Sequence, residues 1–157
     1  MPKIHFICGF MGFGKTTLAK RLEDQLPALR FTHDELMQEM YGRNPDNFEQ
    51  KYKLVDDLIW RKTREAILNG KNVILDYGFW DKNTRKEVMK KALQLVSKEN
   101  MIWHLLDCDM NIAKQRVLNR TATNKEALFI DENCFDTLSK KWQTITDDEN
   151  LKVIKYK

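Results

Sequence analysis

Cysteine is scarce and badly spaced for chemistry: Cys8, Cys108 and Cys134 are odd in number and far apart, and form none of the close pairs of a disulfide framework or a zinc site. That excludes a staple-held mini-fold and suits a reducing, cytoplasmic setting. Long apolar runs are missing as well. No stretch approaches the roughly 20 apolar residues of a membrane span, so no membrane partner is expected. Residues 1–10 meet a glycine loop too soon for a signal peptide and carry no small-residue cleavage site. Also absent are any block of like charge that would serve as a nucleic-acid arm, any internal repeat, any low-complexity tract and any linker.

What is present fits one domain over residues 1–157, because 42% apolar and 10% aromatic residues supply a single sizeable core. The net charge of +4 arises from dispersed lysines, expected mostly on solvated helix faces, and gives only a mild bias toward an anionic ligand.

Hydrophobic periodicity lays out alternating elements. Residues 3–8 run apolar into glycine, as a buried parallel strand does. In 15–26, Leu18, Leu22 and Leu26 recur at helical spacing until Pro27 stops them. A short strand at 29–31 and a helical run at 33–40 follow, broken by Gly42, Asn44 and Pro45. Residues 48–68 form the longest periodic segment, with Tyr52, Val55, Ile59, Ala66 and Ile67 on or near one face. An apolar strand at 72–75 ends in Asp76, and Asp81 caps a helix carrying Val88, Ala92, Leu95 and Val96. A strand at 101–106 precedes Asp107, a capping Asp109 and a helix containing Arg116 and Arg120. A polar stretch at 121–125, a helix at 131–142 and a strand at 151–156 close the chain. Each parallel strand needs a crossover of a dozen or so residues, so this order predicts an α/β three-layer sandwich around a five-stranded parallel sheet.

The chemistry starts at Gly9-Phe10-Met11-Gly12-Phe13-Gly14-Lys15-Thr16, which fits G-x-x-x-x-G-K-[ST] between a predicted strand and a predicted helix. Glycines let the backbone turn tightly and aim consecutive N–H groups inward, at the positive end of the next helix. The expected nucleotide-binding set is Gly9, Gly12, Phe13, Gly14, Lys15, Thr16 and Thr17, with Phe10 and Phe13 turning their rings away while the backbone binds. Lys15 brings a point charge to the outer phosphates, and the Thr16 hydroxyl is placed to ligate Mg²⁺. ATP and Mg²⁺ are therefore the expected cofactors.

With these landmarks the chain resembles, over nearly its whole length, the small P-loop kinases that include polynucleotide kinase, zeta-toxin and chloramphenicol phosphotransferase, ATP-binding proteins of AAA type within the P-loop nucleoside triphosphate hydrolase superfamily. The later pieces are Phe31-Thr32-His33-Asp34-Glu35-Leu36, Val73-Ile74-Leu75-Asp76 and the segment from Gln115-Arg116 to Arg120. The resemblance implies strand order 2-3-1-4-5. It implies Asp34 as the base that takes a proton from the acceptor hydroxyl, the plain alternative being a helix cap. It makes 116–130 a lid, with one of Arg116 and Arg120 over the adenine and the other on the transferred phosphate; the alternative is a solvated pair among acidic partners. Asp76 is the nearest match to the carboxylate that holds Mg²⁺ or orients the acceptor, against a turn residue. Asp107 and Asp109 read as structural.

Departures narrow the acceptor. Where related kinases carry an arginine three residues after the base, this chain has Met37, which disfavours a nucleic-acid end. A second acidic residue and a triple glycine expected of shikimate kinase are missing. Tyr41, Phe48, Tyr52, Trp60, Tyr77, Phe79 and Trp80 are candidates to line an acceptor pocket, although at helical spacing most should pack; His33 either assists substrate or is a solvated loop residue. Basic residues of 51–64 alternate with Asp56, Asp57 and Glu65, as on a wetted helix face. His5 and His104 fall in strands. The expectation is an ATP- and Mg²⁺-dependent phosphotransferase acting on a small hydroxyl-bearing acceptor, monomeric or weakly dimeric. The alternatives are a polynucleotide 5′-hydroxyl kinase, a nucleotide-driven hydrolase or switch, and a binding module without chemistry.

Overall fold

The computed structural model describes residues 1–42, 44–124 and 129–156. Five parallel strands, β1 (Ile4–Cys8), β2 (Ala28–Phe31), β3 (Asn72–Gly78), β4 (Met101–Leu106) and β5 (Val153–Tyr156), form one sheet in the order β2-β3-β1-β4-β5. The helices are α1 (Lys15–Gln25), α2 (His33–Tyr41), α3 (Phe48–Leu68), α4 (Lys82–Leu93), α5 (Met110–Thr123) and α6 (Glu132–Ser139). Both the expected class and the expected strand order hold.

Side-chain alternation divides the interior into two cores. Phe6, Val73, Leu75, Phe79 and Trp103 meet Val55 and Ile59 of α3 and Val88 and Ala92 of α4 on one face. Ile7, Ile74 and Leu106 meet Leu18, Leu22, Val117 and Phe135 on the other. Because β1 and β4 are buried on both faces, they lack the apolar-polar alternation of a half-exposed strand.

Beyond one-residue shifts, four boundaries move, the first at α4, which ends at Leu93 and leaves Leu95 and Val96 beyond it. β3 runs past Leu75 to Gly78, where it regains β1 at Cys8 after a register shift, so Asp76 lies inside the strand and not in a turn after it. α6 stops at Ser139 and leaves Trp142 to pack edge-on against Phe13, 5.4 Å between centroids. β5 begins only at Val153. Asp81 and Asp109 cap as expected, accepting from Thr84 N at 2.6 Å and from Asn111 N at 2.9 Å. Among the described residues no helix is long and apolar enough to cross a membrane.

One buried ion pair, absent from the sequence reading, braces the strand ends. Arg85 is 1% exposed. Its guanidinium donates to both oxygens of Glu149 at 2.7 and 3.0 Å, to the Phe79 carbonyl at 2.7 Å, and to the carbonyls of Gln143 and Thr144 at 2.8 and 3.2 Å. Phe79 sits in the left-handed region (φ 50°) just after Gly78, a conformation that costs a non-glycine residue free energy unless its surroundings hold it.

Candidate active site

The phosphate loop leaves β1 at Cys8 and is tied to the end of β3 by Gly9 N donating to Gly78 O at 3.0 Å. Gly12 must be glycine on two counts: its φ is +79°, and a Cβ would come within 2.5 Å of the Ala113 carbonyl oxygen on α5. Phe10 and Phe13 anchor the loop from beneath. Phe10 is fully buried against Phe135 and Trp80, at 5.3 and 4.7 Å between centroids. The bulky residues therefore replace small ones without entering the binding face. Gly14 is the N-cap of α1 and offers no side-chain acceptor, and the first turn carries no acidic residue. The opening N–H groups, those of exposed Thr16 and Thr17 included, are left for an anion.

Lys15 lies half-buried, its Nζ donating to the Phe10 carbonyl at 3.2 Å. Burial lowers its pKa from the ordinary lysine value, and the carboxylates of Asp76 and Asp34 oppose that shift. An ammonium held with so little solvation has much to gain from a phosphate. Thr16 Oγ1 donates to Asp76 Oδ2 at 3.2 Å. Asp76 is 5% exposed and its other oxygen, Oδ1, has no hydrogen-bond partner. Burial raises its pKa, with Lys15 and the Thr16 hydroxyl acting against it. A buried carboxylate oxygen without a donor, next to a threonine hydroxyl, fits a hard cation that takes few protein ligands and completes its shell with water and phosphate. Among the described residues no group of three or more acidic, histidine or cysteine side chains is arranged to hold a metal ion, so Mg²⁺ would depend on its nucleotide.

Asp34 stands in the first turn of α2, exposed and without a hydrogen bond, and the N-cap is Thr32. The capping alternative is thereby removed. Its carboxylate acts on Lys15 and Asp76 on one side and on the Tyr52 phenol on the other.

Arg116 and Arg120 project from α5, both exposed. Arg116 Nη1 donates to the Gly12 carbonyl at 3.2 Å and approaches Cys108 Sγ at 3.7 Å. Arg120, one turn on, acts on Lys15. Neither forms an ion pair among the described residues, unlike the solvated pair with acidic partners weighed above. Of the expected lid, α5 carries residues as far as Thr123, and 125–128 lie outside the described residues.

His33 is neither solvated nor in a loop. It opens α2 at 3% exposure, stacked 4.1 Å from Tyr52 and edge-on 4.0 Å from Tyr77. Its Nε2 meets Asp56 Oδ1 at 3.1 Å, and Lys91 holds the other Asp56 oxygen at 3.3 Å. This chain across α2, α3 and α4 was missed because its members are remote in sequence. Of the candidate acceptor-lining aromatics, Phe79 is core, Tyr41 and Trp60 pack against the core, and Trp80 lies under the loop. Met37 is fully buried, so it occupies the arginine position as a core side chain.

A family model described as an AAA domain matches residues 4–145. No curated protein matches the sequence. Among solved structures, the chain aligns with Chaetomium thermophilum Kti12 in complex with ADP-AlF3 at a TM-score of 0.70 and 14% identity, covering 98% of this chain and 89% of that one. A gluconokinase from Sinorhizobium meliloti 1021 aligns at 0.63 and 11% identity, covering 98% and 82%. A deoxyadenosine kinase from M. mycoides with bound dATP aligns at 0.58 and 18% identity, covering 99% and 90%. At such identities the likeness is one of fold.

Proposed function

The chain belongs to the AAA domain family, and from that premise we propose that it is an ATP- and Mg²⁺-dependent phosphotransferase that moves the terminal phosphoryl group to a hydroxyl of a small molecule. The observation that carries this reading is the convergence on one uncapped helix start of Lys15, the Thr16–Asp76 pair and Asp34. A solvated lysine or a capping aspartate would serve packing. An under-solvated ammonium facing a free carboxylate serves a charged guest.

In this reading the loop amides and Lys15 hold the triphosphate tail, and Arg116, fixed to the rim of the loop through Gly12 O, covers the nucleotide. Thr16 and Asp76 would hold Mg²⁺, whose chemistry when bound is to neutralise charge on the phosphates. Asp34 accepts the acceptor's proton as its oxygen attacks the terminal phosphorus; the new P–O bond forms, the bond to the bridging oxygen breaks, and ADP leaves. Arg120 supplies forked donors to the phosphoryl oxygens in transit. Shielding the site from water keeps the phosphoryl group from being lost to hydrolysis.

The test is calorimetry with MgATP, followed by transfer of a labelled terminal phosphate across alcohols, sugars, nucleosides and 5′-hydroxyl oligonucleotides. Binding plus transfer to an alcohol supports the reading. Brisk hydrolysis of ATP that no acceptor accelerates would replace it with a hydrolase.

A further inference from the structure

A groove of about 430 Å³ opens between α3 and α4, lined among others by Tyr52, Asp56, Tyr77, Thr84, Glu87 and Lys91, a size typical of small-molecule sites. His33, the residue before Asp34 on α2, stacks 4.1 Å from Tyr52 and lies edge-on 4.0 Å from Tyr77, and both tyrosines line the groove. The groove thus opens one residue away from the proposed base.

Its chemistry selects a kind of guest. The Tyr77 hydroxyl is buried, faces the Asp56 carboxylate and completes no well-formed hydrogen bond. Burial and that carboxylate push the phenol far above its ordinary pKa, so it stays a donor at any working pH. A buried donor so poorly satisfied costs free energy that a well-placed ligand oxygen would recover. Asp56 is already tied to His33 and Lys91, but a carboxylate has about four lone-pair positions and can accept more. Lys91 also lies over the Trp60 ring, 5.7 Å from its centroid, and is not free to seize an anion.

The lining sets three carboxylates, those of Asp56, Asp81 and Glu87, against the two ammonium groups of Lys53 and Lys91, and includes no arginine. With Glu87 paired to Lys90 at 3.2 Å and Asp56 to Lys91 at 3.3 Å, a phosphate would meet carboxylates whose cations are already engaged and no arginine fork to hold it. An apolar guest would leave Tyr77, Asn83 and Thr84 without partners. Resting on the phosphotransferase reading, we infer that this groove receives the acceptor and that the acceptor is an uncharged polyhydroxy compound of sugar or polyol size, not a phosphorylated sugar or a nucleic-acid end.

The experiment uses saturation-transfer NMR on the full chain with glucose, ribose, mannitol and myo-inositol as probes, and glucose 6-phosphate and a 5′-hydroxyl oligothymidylate as contrasts. Labelled phosphate transfer is then run on the same set. At least one uncharged probe should bind, with KM for transfer raised about tenfold by Tyr77→Phe, a loss of roughly 1.4 kcal/mol. ATP affinity should stay within about twofold, and the melting temperature should change little, because the deleted hydroxyl completes no well-formed hydrogen bond in the fold. Exposed Glu87→Lys should bring glucose 6-phosphate into the groove. Preference for either anionic contrast in the unaltered protein overturns the inference, as does indifference to both substitutions. Uncharged probes that bind without being phosphorylated leave the groove as a polyol site and remove the phosphotransferase reading. Transfer to some other alcohol, with no uncharged probe bound, does the reverse.

Discussion

In the proposed reading, the phosphate side of the site rests on one contiguous loop, and the acceptor side on side chains carried on distant elements. On the first, contiguous residues from Gly9 to Thr17 do the work, and their rings serve only to seat the loop. On the second, His33, Asp56, Tyr77 and Lys91 come from α2, α3, β3 and α4 and meet only after the sheet has closed. A local device can be shared by proteins with little identity; an assembled pocket is particular to its chain. The two halves should therefore respond differently to substitution.

The largest effect belongs to Lys15. Lys15→Ala should lower phosphoryl transfer by about 1,000-fold or more without unfolding the protein. The sign follows from burial, which lowers the lysine's folded pKa. The unfolded chain binds this proton more readily, so stability rises as pH climbs through the folded value toward the unfolded one, and at neutral pH the charge is a cost to the free protein. Calorimetric scanning should find the melting temperature of Lys15→Ala equal to or above that of the parent. A drop would mean that the lysine props up the loop, which would erase the contrast between a binding half and a folded scaffold.

Arg85 tests the opposite side. Arg85→Met leaves the Glu149 carboxylate unpaired at 12% side-chain exposure and strips the Phe79 carbonyl of its short guanidinium bond, leaving only the Cys8 thiol at 3.5 Å. Loss of one partner of a buried pair costs about 3–5 kcal/mol, measurable by urea unfolding. Adding Glu149→Leu should restore part of it. If the double variant is no better, the hydrogen bonds to Phe79, Gln143 and Thr144 carry the stability and the charge pair does not.

Asp34→Asn comes next, with transfer slowed by about 100-fold or more and nucleotide affinity unchanged. Thr32 and not Asp34 holds the N-cap position of α2, so any loss of stability should be confined to the favourable charge in the first turn, about 0.3–1 kcal/mol. An unaltered rate would take the base away from this position and leave the acceptor half without its chemistry.

Within the loop, two glycines of similar φ separate strain from collision. Gly12→Ala faces the Ala113 backbone as well as a φ of +79°, whereas Gly14 has a φ of +92° and nothing within 4 Å of the added atom. The expected losses are about 2–3 kcal/mol for the first and about 1 kcal/mol for the second. Equal losses would show that α5 yields to the loop, and that the nucleotide side is less rigid than its packing implies.

The same division explains what the sequence discloses. The loop, the 48–68 helix and the 101–106 strand are legible because glycine spacing and apolar period are local signals, and the structure keeps those element bounds unchanged. Asp76 is misplaced by position, since the tyrosine and glycine after it imitate a turn, while the ladder to β1 resumes at Gly78 after a register shift. Arg85 falls in a lysine-rich helix with no local mark of burial. Its acceptors near residues 143–149 are brought in by the chain after α6, and no periodicity announces them. His33 was hidden in the same way, by Asp56 and Tyr77.

The smallest expected effect lies away from both halves, at the sheet's second face. His5 Nδ1 meets His104 Nε2 at 2.9 Å, and His104 Nδ1 meets the Tyr156 hydroxyl at 2.9 Å. Neutral rings satisfy such a chain, with one nitrogen donating and the next accepting. Burial lowers both pKa values from 6.5 to about 4, helped at His5 by Lys3 and at His104 by His5. The stability from keeping these rings neutral is therefore complete above about pH 6.5 and is lost as pH falls toward about 4, where the unfolded chain takes up protons that the fold refuses. Across that window the loss should be on the order of 1–3 kcal/mol, read from urea midpoints at constant ionic strength. In a His5→Leu, His104→Leu double variant the acid limb should flatten whatever the stability at neutral pH. An equally steep limb would assign the acid sensitivity to the carboxylates of the ion pairs, Asp56 and Glu149 first, and so return it to the acceptor side.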